Sequence, residues 1–389
     1  MHLVRQRTGR VREPTDSGKP GLWTVVFPWG GTLPGMKNLS EPLRRWFAAA
    51  ARDLPWRTSL PRDPYHVLVS ETMLQQTQVT RVVPVFEAFL RRFPTLRHLA
   101  EAENEDVLEA FSGLGYYRRA QRLHAAAQWI HSEGKWPRTA PELARLPGIG
   151  RYTAAAVAAF AFGGSEPLVD GNVMRVAARL LACDLPVGHP HLEHQAREIA
   201  GTLAGSPPDP SLWEGLMELG ATVCLPRGPR CSHCPLRTRC RGFLRGRPED
   251  HPSPRARRRQ EHHTWVAAWV AGPDARVLLQ RRPEGAILPG LWVPPMAEVQ
   301  PGMTPSPEAI PALLPFSLNG VEPRPCPRVS HTITYRRISV FPFLLDLRHA
   351  PVQSPPGDLW RWCPVADPRV ATSSLLAKLG RVCPPKEDR

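Results

Sequence analysis

Four cysteines fall within seventeen residues, spaced Cys224-x6-Cys231-x2-Cys234-x5-Cys240. Thiolates that close in sequence can wrap one metal centre, and four-sulfur ligation suits zinc or an iron–sulfur cluster alike on softness. Zinc ribbons set their cysteines in two short CxxC knuckles far apart, and this spacing is different. In a reducing compartment such a group reads as metal ligation rather than as disulfides. Pro226, Gly228, Pro229 and Pro235 stiffen the loop, while Arg227, Arg230, Arg237, Arg239 and Arg241 make it cationic. The other cysteines, Cys183, Cys326, Cys363 and Cys383, are scattered.

Upstream lies Leu146-Pro147-Gly148-Ile149-Gly150, between two apolar helical patterns. Two glycines around one apolar residue let a backbone turn sharply and approach a ligand closely. Free N–H groups of such a turn, with the start of the next helix, suit a phosphate; a lone GxG more often marks only a tight turn. Two carboxylates each have an ordinary local explanation. Asp170 follows Pro167-Leu168-Val169 and opens the helical run Gly171–Val176, where aspartate caps well. Glu71 follows Ser70, which read locally would cap a helix and leave Glu71 at its positive end. Tyr152, two residues past the hairpin, could simply pack.

These residues must be positioned by elements the apolar periodicity predicts. Val67–Arg92, Asp106–Phe111, Arg118–Ser132, Tyr152–Phe162, Val173–Ala182 and Leu212–Val223 read as helical, so 39–245 is expected to be mainly α. Residues 246–263, rich in Pro, Gly and Arg, read as an extended basic linker, either a tether or a phosphate-touching strap. Thr264–Ala271, Arg276–Arg281 and Ile338–Leu345 read as strands, Pro294–Pro315 as a Pro-rich loop and Thr372–Leu379 as a closing helix. An α+β second domain over 264–380 follows. Residues 1–38 show no sustained periodicity and are expected to be a disordered extension, with Met36 a candidate start.

The length of 389 residues suits two domains, and a hydrophobic fraction of 42% excludes wholesale disorder. No apolar stretch reaches the length of a membrane span and no secretory leader is evident, so a cytoplasmic protein working as a monomer is expected. A net charge of +15 suits a polyanionic partner, though many basic proteins never touch nucleic acid.

The hairpin LPGIG and the 6-2-5 cysteine loop together resemble the helix-hairpin-helix DNA glycosylases of the endonuclease III superfamily. That resemblance implies a [4Fe–4S] cluster on Cys224, Cys231, Cys234 and Cys240, and DNA phosphate contact at Gly148 and Gly150. Cleaving an N-glycosidic bond needs an acid for the leaving base and a carboxylate beside the cationic sugar. VDGNV, about twenty residues past the hairpin, matches the family's catalytic aspartate segment and assigns that carboxylate to Asp170. Ser70-Glu71-Thr72-Met73-Leu74-Gln75-Gln76-Thr77-Gln78-Val79 resembles the MutY branch, which implies that Glu71 protonates adenine and activates water. Burial beside a flipped base would raise its pKa. Bifunctional relatives carry a lysine where Tyr152 stands, so base removal without strand cleavage is implied.

The same resemblance makes Gln76 and Tyr116 wedges inserted beside the lesion, and Arg52, Trp56 and Arg57 the wall of the adenine pocket, with Glu214 a weaker candidate. The second domain resembles the Nudix fold with which MutY enzymes check 8-oxoguanine opposite the adenine. Nudix hydrolases need a glutamate-rich helix for magnesium, and GLWVPPMAEV over 290–299 offers none. Where the family's lesion-sensing loop commonly reads H-x-F-S-H, this chain has His331-Thr332-Ile333-Thr334-Tyr335, which assigns that role to Thr334 and Tyr335; Val329-Ser330-His331 is the alternative register. Duplex DNA carrying A·8-oxoguanine or A·G is the implied partner. A thymine glycosylase acting on G·T shares the tyrosine but normally ends after the cysteine loop. An endonuclease III-like lyase conflicts with Tyr152, and a non-catalytic DNA-binding module leaves the pairing of Glu71 with Asp170 unexplained.

Overall fold

The structure is a computed structural model. It describes residues 36–115, 117–254, 259–283, 285–300, 303–318, 320–348, 357–366 and 370–384. Residues 1–35 and Tyr116 therefore lie outside the described residues. The end of the expected extension differs from expectation: Met36–Leu39 form a 3-10 turn, because Leu39 is drawn into the core at 3% exposure.

Among the described residues the first half is helical, with no strand before Glu261. Its helices are α1 (Ser40–Ala50), α2 (Pro64–Leu74), α3 (Val79–Arg92), α4 (Leu96–Ala100), α5 (Asn104–Ala110), α6 (Arg118–Glu133), α7 (Ala140–Leu143), α8 (Arg151–Phe162), α9 (Gly171–Leu181), α10 (Pro190–Ala204), α11 (Pro210–Thr222) and α12 (Arg241–Leu244). Local chemistry explains many of their starts. Asp63, Thr95, Thr139, Asp170 and Asp209 each accept a backbone N–H of the first turn, and Pro64, Pro190 and Pro210 stand where a missing N–H costs nothing. Helix α8 runs through the middle of this half, buried on every side from Thr153 to Phe160. Its alanines let its neighbours, α2 and α7 among them, approach closely.

Two expectations fail at α2. The pattern Val67–Arg92 is not one helix; it breaks at Gln75–Gln78, where Gln76 takes a φ of 57°. Ser70 caps nothing. The cap is Asp63 with Pro64 behind it, and Ser70 is buried mid-helix with its hydroxyl on the Val67 carbonyl. Glu71 thus lies near the negative end of α2, where a carboxylate is disfavoured.

The second half is built on a sheet of β1 (Glu261–Ala271), β2 (Arg276–Arg281), β3 (Trp292–Val293), β4 (Met296–Glu298), β5 (Arg324–Pro325), β6 (Val329–Ile333), β7 (Arg336–Asp346) and β8 (Trp360–Pro364), followed by α13 (Ser374–Val382). Strands β1 and β7 run parallel at its centre, in register from Glu261↔Arg336 to Ala271↔Asp346. Alternation sorts β1 into two cores. Trp265, Ala267, Trp269 and Ala271 join the core continuous with the helical half, while Val266, Ala268 and Val270 pack with Ile310 on the other face. The predicted Pro-rich loop over 294–315 holds β4 and two 3-10 turns, Pro307–Ala309 and Pro311–Leu313, because Ile310 is anchored in that second core. The expected linker is not a free tether at its start. Buried Arg179 donates to the carbonyls of Pro248 (2.8 Å) and His251 (3.0 Å), and β1 already begins at Glu261; residues 255–258 lie outside the description.

The halves share one hydrophobic core and specific polar contacts. Tyr117 Oη donates to the Thr372 carbonyl at 2.6 Å, and Glu105 pairs with Arg361 at 3.4 Å and Arg281 at 3.9 Å.

Candidate active site

A cavity of about 440 Å³ opens between α2, α8, the start of α9 and α11. Glu71 enters it from α2, Tyr152 from the first turn of α8, Asp170 from the cap of α9, and Glu214 and Glu218 from α11. The two carboxylates proposed from sequence, Glu71 and Asp170, therefore face one space. Arg52, Trp56, Arg57, Gln76 and Glu214 line it as well. Trp56 is largely core, 7% exposed with its ring edge-on to Phe86 at 5.3 Å. Gln76 is exposed at the rim.

Electrostatics separate the two acids. Burial, then the neighbouring charges of Glu214 and Asp170, push Glu71 up to about 8, opposed by Arg62 and by a hydrogen bond from the Tyr152 hydroxyl. At neutral pH Glu71 is thus a proton donor. Burial also raises Asp170 above its ordinary value, opposed by hydrogen bonds to its carboxylate and by Arg175. Its Oδ1 accepts the Val173 N–H at 2.7 Å, its Oδ2 accepts Asn172 Nδ2 at 2.8 Å, and Arg175 stands nearby. Asp170 caps α9, as read locally, and the cap fixes its carboxylate at the cavity wall. Tyr152 is kept protonated by burial and surrounding carboxylates, and its hydroxyl also reaches Met217 Sδ at 3.1 Å.

Sequence reasoning missed Arg62 and Glu218. Glu214 binds Arg62 at 2.7 Å and Arg57 at 3.3 Å; Glu218 binds Arg57 at 2.8 Å and Arg52 at 2.7 Å. The guanidinium groups expected on the pocket wall are therefore held in a chain of ion pairs rather than left mobile. One signal was available: Glu214 and Glu218 stand four apart and share a helix face. Helices α9 and α11 meet closely because a Cβ on Gly220 would lie 2.5 Å from the Asn172 Cβ. Arg175 crosses that contact, donating to Asn172 Oδ1 (2.8 Å), the Gly220 carbonyl (2.7 Å) and the Cys224 carbonyl (2.9 Å).

The four cysteines line a second, small cavity with Arg179 and Arg237. Arg179 Nη1 donates to Cys224 Sγ at 3.2 Å. As bare thiols, Cys231, Cys234 and Cys240 are pushed up chiefly by burial and further by Cys224, Cys234 to about 12. Part-buried thiols around one small cavity that resist ionising alone are a donor set that a cationic centre would deprotonate. Among the described residues no three His, Cys, Asp or Glu side chains are grouped to hold a single ion. Arg227, Arg230, Arg237 and Arg239 are exposed around the loop.

In the hairpin between α7 and α8 only Gly148 is left-handed, at φ 70°, and a Cβ there would meet the Arg122 side chain at 2.3 Å. Gly150 is different from expectation: it has ordinary φ and open space around it. Leu146 and Ile149 anchor the turn inward, leaving both glycines exposed. Thr334 and Tyr335 form the two-residue turn between β6 and β7, with Thr334 exposed at φ 55°. They do not line the cavity of Glu71 and Asp170. His331, by contrast, points inward at 6% exposure.

Residues 69–200 match the model of the HhH-GPD superfamily of base excision DNA repair proteins, and residues 266–378 match a NUDIX domain. The adenine DNA glycosylase of Mus musculus is 32% identical, over 88% of this chain and 80% of its own. That of Mycolicibacterium smegmatis is 46% identical, over 52% of this chain and 70% of its own. The structure of a thermostable thymine-DNA glycosylase aligns with a TM-score of 0.48 at 27% identity, over 54% of this chain and 97% of that one. Among the described residues no helix is long and apolar enough to cross a membrane. An endonuclease III-like helical half that buries two carboxylates in one cavity, followed by a Nudix-like sheet, and matched along most of its length by these relatives, belongs to the MutY family of adenine DNA glycosylases of base excision repair.

Proposed function

We propose that the cavity receives an adenine swung out of a duplex in which it faces 8-oxoguanine or guanine. The observation that carries this reading is a protonated Glu71 and a hydrogen-bonded Asp170 carboxylate facing the same space. Glu71 hands its proton to a ring nitrogen of the base, so the base departs neutral as the glycosidic bond opens. Asp170, held by its cap bonds, stabilises the cationic sugar, and the Glu71 carboxylate left behind takes a proton from the attacking water. Tyr152 orients the Glu71 carboxyl and offers no amine to the sugar. Arg52 and Arg57, tied through Glu214 and Glu218, form the pocket wall with Trp56. Gln76 at the rim fills the space the base leaves, and the exposed turn at Gly148 and Gly150 with the start of α8 takes a phosphate.

Residues 39–245 are the catalytic domain and 264–380 the lesion-reading domain, with Thr334 and Tyr335 at the exposed tip that meets the opposite base. Single-turnover assays on A·8-oxoguanine, A·G and T·G duplexes, with and without alkali, test this. Adenine release that leaves the strand whole until alkali is the expected result; release of thymine, or no release, would overturn it. Tyr152→Lys is expected to add detectable nicking without alkali, and complete inertness of that lysine would remove Tyr152 from the reaction centre.

Cys224, Cys231, Cys234 and Cys240 would hold a [4Fe–4S] cluster. The thiols need a cationic partner, and a cluster with its own bridging sulfides suits sulfurs too spread for one ion. When bound, it supplies structural support to a loop that displays arginines to phosphates. Protein purified under argon is expected to contain about four irons per chain and to absorb broadly in the visible. Stoichiometric zinc instead would refute the assignment.

A further inference from the structure

Gln76 is a non-glycine residue in the left-handed region, a conformation that persists only when its surroundings hold it. Besides the Thr77 N–H on the Leu74 carbonyl and Gln75 Nε2 on Thr153 Oγ1, each at 3.3 Å, one side chain makes most of the bonds around it. Buried Arg119, in the first turn of α6, donates Nη1 to the carbonyls of Thr72 (3.1 Å), Met73 (2.9 Å) and Gln75, and Nη2 to Thr77 Oγ1 (3.0 Å). Bonds thus fall on both flanks of Gln76 and on the end of the helix that carries Glu71. The same Nη2 donates to the carbonyls of Leu114 (3.3 Å) and Gly115 (3.1 Å), in a loop bent by left-handed Gly113 and Gly115. Two residues before Arg119, the Tyr117 hydroxyl donates to the Thr372 carbonyl of the second domain at 2.6 Å. Thr372 is itself fixed to the sheet, bridging Trp292 of β3.

We propose that Arg119 is a positioning residue that locks the Gln75–Thr77 turn onto the Leu114–Gly115 loop for base extrusion, and that Tyr117 ties this junction to the second domain. This inference rests on the reading of Gln76 as the residue that enters the duplex. A lysine at 119 keeps the charge but cannot reach both sets of carbonyls from one planar group. Tyr117→Phe removes the bond to Thr372 and, within the same loop, a 3.4 Å contact with the Ser112 hydroxyl.

The test uses the full chain and an A·8-oxoguanine duplex with 2-aminopurine beside the adenine. Unstacking is read by fluorescence in a Glu71→Gln background, within the time in which base release is negligible. Arg119→Lys is expected to slow single-turnover adenine release roughly 10²-fold, the scale of a misplaced reacting group. The unstacking signal should fall in step, while the pH profile of the remaining activity keeps its midpoint. Tyr117→Phe should slow release about tenfold, a typical coupling between sites. Thermal melting accompanies both, and Arg119→Met is a second variant should the lysine form fold poorly. A slow Arg119→Lys enzyme with full unstacking would overturn the proposal, as would release within twofold of wild type. Tyr117→Phe at the wild-type rate would remove the link to the second domain. If the parent chain releases no adenine, it is the underlying reading that fails, not the role of Arg119.

Discussion

Glu71→Gln is expected to slow adenine release by about 10³-fold, within the range that positioned acid–base catalysis supplies. The amide is nearly isosteric and still accepts the Tyr152 hydroxyl, so the cavity should keep its shape while the proton is lost. The wild-type pH profile follows from the same group. Release should hold while Glu71 is protonated and fall as pH rises through about 8. A profile that instead rises through that range would assign the proton to another residue. Stability carries the complementary sign. The folded protein binds this proton more tightly than the unfolded chain, so the contribution of Glu71 is fully present below its unfolded pKa near 4.5 and is lost as pH rises through about 8. At alkaline pH Glu71→Gln should therefore melt above wild type, as expected where a buried charge is exchanged for a neutral group. A melting curve unchanged at pH 9 would show that the carboxylate is not buried at cost.

Asp170→Asn is expected to abolish base removal, by about 10³-fold or more, while duplex binding persists. Asparagine caps helices as well as aspartate, and its Oδ1 can keep the Val173 N–H bond at 2.7 Å. The substitution therefore separates charge from architecture, which alanine would not, since losing the cap costs about 1 kcal/mol. Binding is measured by titrating labelled A·8-oxoguanine duplex, and release in single turnover. Loss of both together would make Asp170 structural. Retention of both would mean that the sugar cation is stabilised elsewhere.

Much of this site was legible in the chain because its chemistry is written locally. The turn at LPGIG and the start of α9 at Asp170 depend on residues a few positions apart and are found there, and the four cysteines line one small cavity. The strands of the second half were readable at β1, β2 and β7, whose apolar runs are long. Strands β3, β5 and β8 are too short and too rich in Pro, Arg or Trp to show a pattern of their own. The helical period ran through Gln75–Gln78 without a visible stop, because that break is made by Arg119, more than forty residues away.

Local order along the chain determined which groups could do chemistry and where helices begin, since caps, turns and ligand spacing are short-range. It did not determine what those groups would be. Glu71 is an acid near neutrality because burial largely excludes water and because Glu214 and Asp170 converge on it from roughly 140 and 100 residues away. Such a shift sums burial and charges that only folding brings together, so it belongs to the tertiary structure alone.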